Sequence, residues 1–415
     1  MALVKQDHSK LQTFYLIVLF LMPVLAQYPI GPLDMDVVGI LLVAVGLFFS
    51  GMNYDSTKRG IIYVLITYIA VVTLVNLMFG EMYSSRADII LRCGRYCLYL
   101  IIVMLLCLDT LFDYQKAMRI YRVIAMAAFC YICLQTVFYY GAGITLPNRI
   151  GGTSLTNESG QEVGRLRAFY SEPADMAYSL IPFVCCSLFG PQYAKKDRRM
   201  MDAICVTAAI ILTTSGQGIV TVAALWFGWV CIGIAKKEMS AKKGGVILGI
   251  IAVAFILWQA GILEFALGRV ADTGEHSATA ARSSGYVALQ LLSPFEWLFG
   301  TGFGNYVTEN IYNLPVPYQF VNYSSIAEFL FTTGLVGMSI LVGFFFGEFR
   351  KGDLRSRMLI LALIALAVGG CPMTGKYMPI YLSLICSRAI PFGNDADAAT
   401  ESVQKPLRRG AMRRG

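Results

Sequence analysis

Residues 60–79 read GIIYVLITYIAVVTLVNLMF, a stretch of twenty residues without a charged side chain. A helix of about 20 mostly apolar residues has the length needed to cross the hydrocarbon core of a bilayer. Lys58 and Arg59 come immediately before this stretch. The stretch therefore predicts a transmembrane helix that begins beside a basic loop.

Similar apolar runs follow one another along the whole chain, which is 57% hydrophobic and 14% charged and has a mean hydropathy of +0.62. A soluble domain carries roughly 25% charged residues. We therefore predict an all-α integral membrane protein of about twelve transmembrane helices, a single polytopic domain over residues 1–415. The candidate spans are 11–29, 35–51, 60–79, 90–111, 118–140, 174–192, 200–216, 218–235, 244–266, 323–348, 357–373 and 377–390. Pro372 and Pro379 interrupt the region around Gly375, so a partly re-entrant last segment is the alternative to a twelfth span.

The basic residues predict the orientation, because cytoplasmic loops carry an excess of Lys and Arg. With the N-terminus in the cytoplasm, 25 of the 34 basic residues fall inside and 9 outside. Both termini are then cytoplasmic, and residues 391–415 form a basic cytoplasmic tail. The net charge of +8 comes from short clusters between apolar runs, which argues against nucleic-acid binding.

Two long loops fall outside in this orientation, 141–173 and 268–322, whereas the other connections are short. Long connections are usually functional or disordered. Both loops contain aromatic, glycine and charged residues, which favours function. In the second loop we predict a helix over Ala278–Leu292, followed by the apolar FEWLF at 295–299, which would lie against the bilayer.

The basic residues of the outer face are almost all arginine. The guanidinium group binds phosphate oxygens bidentately, whereas the Lys ammonium acts as a point charge. This composition indicates a phosphate or diphosphate ligand, or else reflects chance and ordinary surface solvation. The nine residues are Arg86, Arg92, Arg95, Arg149, Arg165, Arg167, Arg269, Arg282 and Lys376.

The histidines and cysteines predict neither a metal site nor a disulfide framework. The eleven Cys all lie in or beside apolar segments, where thiols behave as small hydrophobes. His276 is the one histidine of the outer loops, and one histidine cannot build a metal site alone. We expect a metal-independent mechanism without a cofactor.

The densest polar motif is GRLRAFYSEPAD at 164–175, which ends the first long loop and opens the sixth span. Pro173 suits the first turn of a helix, and Glu172 then lies at the positive helix N-terminus. Arg165, Arg167 and Glu172 would converge at the mouth of a helix bundle. The alternative is a helix cap in which Arg–Glu pairing only orders the loop.

Two further motifs lie in and after the second long loop. Arg282 precedes the glycine-rich run 300–305, for which a tight turn is a better interpretation than a phosphate cradle. Glu328 lies within an otherwise apolar helix, where a carboxylate is either functional or the structural partner of an arginine. Gly334 and Gly337 would allow close helix packing.

Taken in order, these motifs resemble the O-antigen polymerase and ligase superfamily of bacterial membrane glycosyltransferases. Residues 164–173 resemble its arginine–Phe–x–Glu–Pro signature, and residues 212–218, LTTSGQG, resemble its helix-hairpin serine motif. Arg282 with residues 298–305 resembles its arginine and glycine motif. Residues 322–337 resemble the start of the following helix, so the resemblance covers about residues 150–340.

The resemblance implies one of two activities. Polymerases of the Wzy type join lipid-linked oligosaccharide repeats, whereas ligases transfer a finished glycan to lipid A-core. Ligases typically have His-Asn where this chain has Val321-Asn322, which favours a polymerase. We expect an extracytoplasmic glycosyltransferase of the bacterial cytoplasmic (inner) membrane that polymerises undecaprenyl-diphosphate-linked repeat units into O-antigen or a related surface polysaccharide. The alternatives are an O-antigen ligase and a lipid-linked oligosaccharide flippase.

The resemblance and the residue chemistry together predict the site. The expected catalytic residues are Arg165, Glu172 and Arg282. The expected substrate-binding residues are Arg149, Arg167, Tyr170, Asn322, Glu328 and Lys376. The expected partners are the undecaprenyl-diphosphate-linked oligosaccharide and membrane lipid, with a chain-length regulator and a flippase as candidate protein partners and no nucleic acid.

Overall fold

The computed structural model describes residues 9–30, 33–50, 59–148, 166–193, 198–236, 259, 278–316 and 319–387, with the backbone alone for 278–282. These parts of the chain are almost entirely helical. Their helices are α1 Ser9–Leu25, α2 Met35–Phe49, α3 Gly60–Phe79, α4 Arg86–Tyr99, α5 Tyr114–Ala142, α6 Pro173–Phe189, α7 Arg199–Leu212, α8 Gly216–Ala235, α9 Ala278–Ala288, α10 Pro294–Phe299, α11 Ser325–Lys351, α12 Leu354–Gly369 and α13 Met378–Cys386. The short strands β1 Pro29–Ile30 and β2 Leu33–Asp34 pair antiparallel.

Helices occupy eleven of the twelve predicted spans. The ninth, 244–266, lies outside the described residues apart from Gln259, as does the tail 391–415. The helix predicted over Ala278–Leu292 is formed by α9 and the 3₁₀ turn Leu289–Leu291 that follows it. α4 continues as the π-helix Leu100–Cys107, so that this helical segment is 22 residues long.

Five helical segments are long and apolar enough to cross a membrane by length and composition: α3, α4 with its π-helical continuation, α5, α8 and α11. α1, α2 and α6 are shorter apolar helices. Large apolar side chains such as Leu74, Phe79 and Val123 are exposed on these long helices. A surface of this kind is expected where a helix faces lipid, so the fold is that of a helical protein suited to a membrane.

The last helix differs from the others. α13 has nine residues and is buried from Met378 to Ile385. At 1.5 Å per residue it is about 14 Å long, roughly half the thickness of the hydrocarbon core. The preceding residues 370–377 are not helical. These dimensions fit the re-entrant alternative, because non-helical backbone at membrane depth needs surrounding protein.

The described helix ends meet in two groups. In one group, the turn after α3 contacts residues 301–306, and the amide of Ser325 donates a 2.6 Å hydrogen bond to the carbonyl of Gly370. In the other, Arg59 pairs with Asp109 at 3.0 Å, and the ammonium of Lys116 lies 2.9 Å from the carbonyl oxygen of Ser9. The first group joins the connections predicted outside and the second those predicted inside, as helices that alternate in direction require.

The glycine-rich run enters a bend in α11. Gly334 has φ +63° and ψ −169°, which interrupts the helix. The amides of Thr301 and Gly302 donate to the carbonyls of Phe331 and Thr332 at 3.0 and 2.9 Å, replacing helical partners that the bend removes. A β-carbon on Gly334 would lie 2.5 Å from the carbonyl oxygen of Leu298. The run thus makes tight turns, as expected, and it also binds the bend of α11.

Candidate functional site

A cavity of about 600 Å³ lies where the first group of helix ends meets. Its walls come from the start of α6, the segments 306–308 and 320–323, the first turn of α11, and the turn that follows α12. The first of these walls belongs to the motif at 164–175, and the α11 wall to the motif at 322–337. Two motifs that are far apart in the sequence therefore line one cavity.

Glu172 lies at the rim of this cavity. Pro173 is the first residue of α6 and Glu172 is its N-cap residue, as predicted. The carboxylate is exposed and does not cap the helix, whereas the Glu172 carbonyl accepts a 3.2 Å hydrogen bond from the amide of Met176. Proline at this position costs no hydrogen bond, because the first helical amides have no partner within the helix. Helix initiation thus presents the Glu172 side chain at the cavity mouth.

Lys376 belongs to the same site through Asp175. Its ammonium forms a 3.0 Å ion pair with the Asp175 carboxylate, which also accepts a hydrogen bond from the Ser171 hydroxyl. The Lys376 side chain is 24% exposed and that of Asp175 16%. Sequence reasoning predicted Lys376 but not Asp175. The available signal was spacing, since residues three apart share a helix face and Asp175 follows Glu172 by three.

Glu328 lies in the cavity wall and is 8% exposed. The Thr374 hydroxyl donates a 2.7 Å hydrogen bond to its Oε2 atom. Within the described part of the chain, no cation lies within ion-pair distance of this carboxylate. Arg92 instead stacks 4.6 Å above the Tyr306 ring and donates a 3.3 Å hydrogen bond to the Gly304 carbonyl. Among the described residues, no arginine is therefore a direct ion-pair partner of Glu328, which was one of the two roles that the sequence left open.

Asn322 lines the cavity and is held from outside by α9. Its amide donates a 2.8 Å hydrogen bond to the Ser284 hydroxyl, and its carbonyl accepts a 3.0 Å bond from the Gly285 amide. A β-carbon on Gly285 would lie 2.7 Å from the Cα atom of Tyr323, so the close approach requires glycine. Arg282 is three residues earlier in α9, and its side chain lies outside the described atoms. The helix that carries it packs directly behind the cavity wall.

The other predicted residues do not line the cavity in the described structure. Arg167 donates a 2.5 Å hydrogen bond to the Ser171 carbonyl, which braces the turn before α6. Tyr170 is fully buried, and this burial raises the pKa of its phenol. Arg149 and Arg165 lie outside the described residues.

The segment before α6 is fastened to α5 by one side chain. The Gln135 amide group accepts a 2.8 Å hydrogen bond from the Ala168 amide and donates a 3.2 Å bond to the Ala168 carbonyl. Ala168 has φ +48°, a conformation that costs about 1 kcal/mol or more for a residue with a β-carbon. The two hydrogen bonds offset this cost, so Gln135 helps to set the path of the chain towards Glu172.

The hairpin between α7 and α8, residues 212–218, supports the cavity from behind. Gln217 accepts a 2.7 Å hydrogen bond from the Tyr178 hydroxyl and donates one of 2.7 Å to the Leu366 carbonyl. A β-carbon on Gly370 would lie 2.0 Å from the Tyr178 oxygen, so the turn after α12 requires glycine there. Sequence reasoning quoted Gln217 within a motif and missed Tyr178 and Gly370, because only the fold brings them together.

The described lining can accept protons and bind hydroxyl groups. It contains three carboxylates, those of Glu172, Asp175 and Glu328, with the Asn322 amide and the rings of Tyr306 and Tyr323. Burial raises the pKa of both phenols, which keeps them neutral hydrogen-bonding groups. Among the described side chains, no three His, Cys, Asp or Glu are grouped so as to hold a metal ion.

No protein-family model and no curated protein matches the chain.

Proposed function

We propose that this chain is an extracytoplasmic membrane glycosyltransferase that polymerises undecaprenyl-diphosphate-linked oligosaccharide repeat units into O-antigen or a related surface polysaccharide. One observation carries the proposal: Glu172 of the first resemblance motif and Asn322 and Glu328 of the last line a single cavity. Its volume of about 600 Å³ suits the ends of two sugar chains better than a whole polymer. The carboxylates and amide suit a ligand rich in hydroxyl groups.

The proposed topology places this cavity on the outer side of a bacterial cytoplasmic membrane, with about twelve helical segments and both termini in the cytoplasm. The clustering of the predicted outer connections around the cavity supports this arrangement. Cys371 is exposed in the cavity wall and allows a direct test. A membrane-impermeant maleimide added to intact spheroplasts should label the wild-type chain more strongly than Cys371→Ser. Labelling of the wild-type chain that exceeds that of Cys371→Ser only after permeabilisation would contradict the orientation, since Cys130 and Cys231 are exposed as well and label both chains alike.

In the proposed reaction a hydroxyl oxygen of the acceptor sugar attacks the anomeric carbon of the donor sugar. The new glycosidic C–O bond forms as the bond to the diphosphate breaks, and undecaprenyl diphosphate leaves with the electron pair. The hydroxyl proton passes to a carboxylate of the cavity. Outside the cell there is no pool of nucleotide sugars, so a lipid-linked donor is the substrate class that this location requires.

Arg165 and Arg282 are the proposed ligands of the diphosphate, whose developing charge they would neutralise. Arg149 or Arg167 would hold the second phosphate or the acceptor. Glu172 would either accept the proton of the acceptor hydroxyl or orient Arg165. Their placement in the sequence supports these roles, since Arg165 precedes Glu172 by seven residues and α9 packs behind Asn322.

Deletion of the gene followed by gel analysis of surface glycan tests the function. Loss of a polymerase leaves a single repeat on the acceptor, loss of a ligase leaves none, and loss of a flippase traps the precursor inside the cell. The residue roles are tested by complementation with Arg165→Lys, Arg282→Lys and Glu172→Gln, each of which should shorten or abolish long chains. Arg86→Lys at the exposed start of α4 is the matched control. Normal long-chain polysaccharide from all three site variants would refute these roles.

A further inference from the structure

Two carboxylates of the cavity differ in how their charge is stabilised. Glu172 is exposed to solvent at the N-terminus of α6, where the helix dipole favours an ionised carboxylate. Glu328 is buried, and its hydrogen bond within the described structure comes from Thr374. The third carboxylate, Asp175, is already paired with Lys376. Of the three, Glu328 has the least compensated charge.

The surroundings of Glu328 leave one of its oxygens available. Thr374 holds Oε2 at 2.7 Å, whereas Oε1 has no hydrogen-bond partner among the described residues. Arg92 and Tyr96 of α4 face Glu328 from one side, and Tyr306 and Tyr323 face it from the loop. Arg92 stacks on Tyr306, and Tyr323 packs against the same ring at 5.1 Å. These neighbours surround the carboxylate within the wall, and none of them forms a hydrogen bond with its Oε1 atom.

We infer that Glu328, rather than Glu172, accepts the proton from the acceptor hydroxyl, and that Thr374 is the positioning residue that aims the carboxylate into the cavity. This inference rests on the proposed function. A general base needs an oxygen within hydrogen-bond reach of the proton, and its efficiency rises with its affinity for that proton. Glu328 meets the geometric requirement, because it lines the cavity and its Oε1 atom has no hydrogen-bond partner among the described residues. Glu172 is then left to orient the arginine side of the site.

The chemical step balances with the groups already named. The acceptor oxygen gives its proton to Oε1 of Glu328 as it forms the bond to the anomeric carbon. The bond between that carbon and the diphosphate breaks, and the diphosphate takes the electron pair. Glu328 returns its proton to solvent through the cavity mouth when the product leaves, so the step requires no other reactant.

The test is steady-state kinetics with the full-length chain in lipid nanodiscs, using undecaprenyl-diphosphate-linked repeat units extracted from the deletion strain. Glu328→Gln should lower kcat by about 10²–10⁴-fold with little change in KM, because general-base catalysis contributes about that much. Glu172→Gln should have a smaller effect on kcat and should mainly raise KM. Elution volume and thermal midpoint equal to those of wild type show that each variant is folded.

Two variants of Thr374, one to Val and one to Ser, test the positioning role. They remain informative if Glu328→Gln does not fold. Thr374→Val should lower kcat by about tenfold, because a tenfold change in rate corresponds to the free energy of about one hydrogen bond. Thr374→Ser should restore it, because serine supplies the same donor. Rescue by serine separates a hydrogen-bonding role from simple packing.

Three results overturn the inference: Glu328→Gln retains more than a tenth of wild-type kcat, it changes KM alone, or Glu172→Gln causes the larger loss of kcat. In each case polymer formation by the wild-type chain leaves the proposed function standing. If the wild-type chain forms no polymer, the proposed function fails and the assignment of Glu328 fails with it. If Thr374→Val, Thr374→Ser and wild type have equal kcat, the positioning role is wrong.

Discussion

Two polar regions that meet at the same end of the bundle use their hydrogen-bonding groups in opposite ways. The glycine-rich run 300–305 gives its polar groups to the fold, whereas the cavity beside it keeps carboxylates facing open space. The Asn305 side chain accepts from the amides of Tyr83 and Ser84 and donates to the carbonyls of Glu81 and Thr301. Both regions come from sequence motifs that combine polar residues with glycine or proline. Presence in a motif therefore does not tell whether a polar residue serves structure or chemistry.

The difference follows from what each group would lose if its partner were removed. An unsatisfied polar group buried in the glycine-rich run would cost about 1–3 kcal/mol. Glu328 and Asn322 border a cavity, where water or a ligand can satisfy them. Substitutions in the glycine-rich run should consequently reduce stability, and those in the cavity wall should reduce activity at nearly constant stability.

The largest expected effect comes from the bend in α11. Gly334→Ala should destabilise the fold by about 3 kcal/mol or more, because it adds left-handed strain to a clash with the Leu298 carbonyl. The thermal midpoint of the detergent-solubilised chain measures the loss. Gly347→Ala in the same helix is the control, since a β-carbon there meets nothing within 4 Å. A Gly334→Ala midpoint equal to that of wild type would mean that the bend is not required.

The next effect compares two asparagines. Asn305→Ala should cost at least about 2 kcal/mol, because it leaves four backbone groups without partners, and two of them, the Tyr83 amide and the Thr301 carbonyl, are buried. Asn322→Ala should cost less than about 0.5 kcal/mol, because its side chain is exposed. Under the proposed function, Asn322→Ala raises KM instead. Equal losses of stability in the two variants would erase the distinction between the two regions.

A smaller effect is expected for the hydroxyl that connects α3 with the bend. The Tyr68 oxygen lies 2.9 Å from the carbonyl oxygens of Phe299 and Thr333, to which it donates a shared hydrogen bond. Tyr68→Phe should lower the free energy of unfolding by about 1 kcal/mol. Tyr63→Phe, five residues earlier at an exposed position of the same helix, should change it little. Unfolding of both variants at the same temperature would contradict this prediction.

The smallest effect on stability is expected at the ion pair of the cavity. Asp175→Asn and Lys376→Met should each cost less than about 1 kcal/mol, because both side chains are partly exposed. A double-mutant cycle with the combined variant measures the coupling between the two charges. Coupling above about 2 kcal/mol would show that this pair, like the glycine-rich run, serves the fold.

The candidate site could be predicted from the sequence only in part. Glu172, Asn322, Glu328 and Lys376 were singled out by polarity in apolar or helix-terminal settings, and the structure gathers them at one cavity or its edge. Asp175 offered only its three-residue spacing from Glu172, and Thr374 and Tyr178 offered no comparable signal. Their relevance depends on contacts with elements that are distant in the sequence.

Within the described residues, the sequence by itself determined where the long apolar helices lie and where α6 begins. These features depend on runs of apolar residues and on Pro173, which are local properties. Only the tertiary structure decided which polar side chains meet. Asp175 and Lys376 are 201 residues apart, and Thr374 lies 46 residues beyond Glu328. Such pairs arise from the packing of helices, and packing depends on the shapes of many side chains at once, which no single segment of sequence encodes.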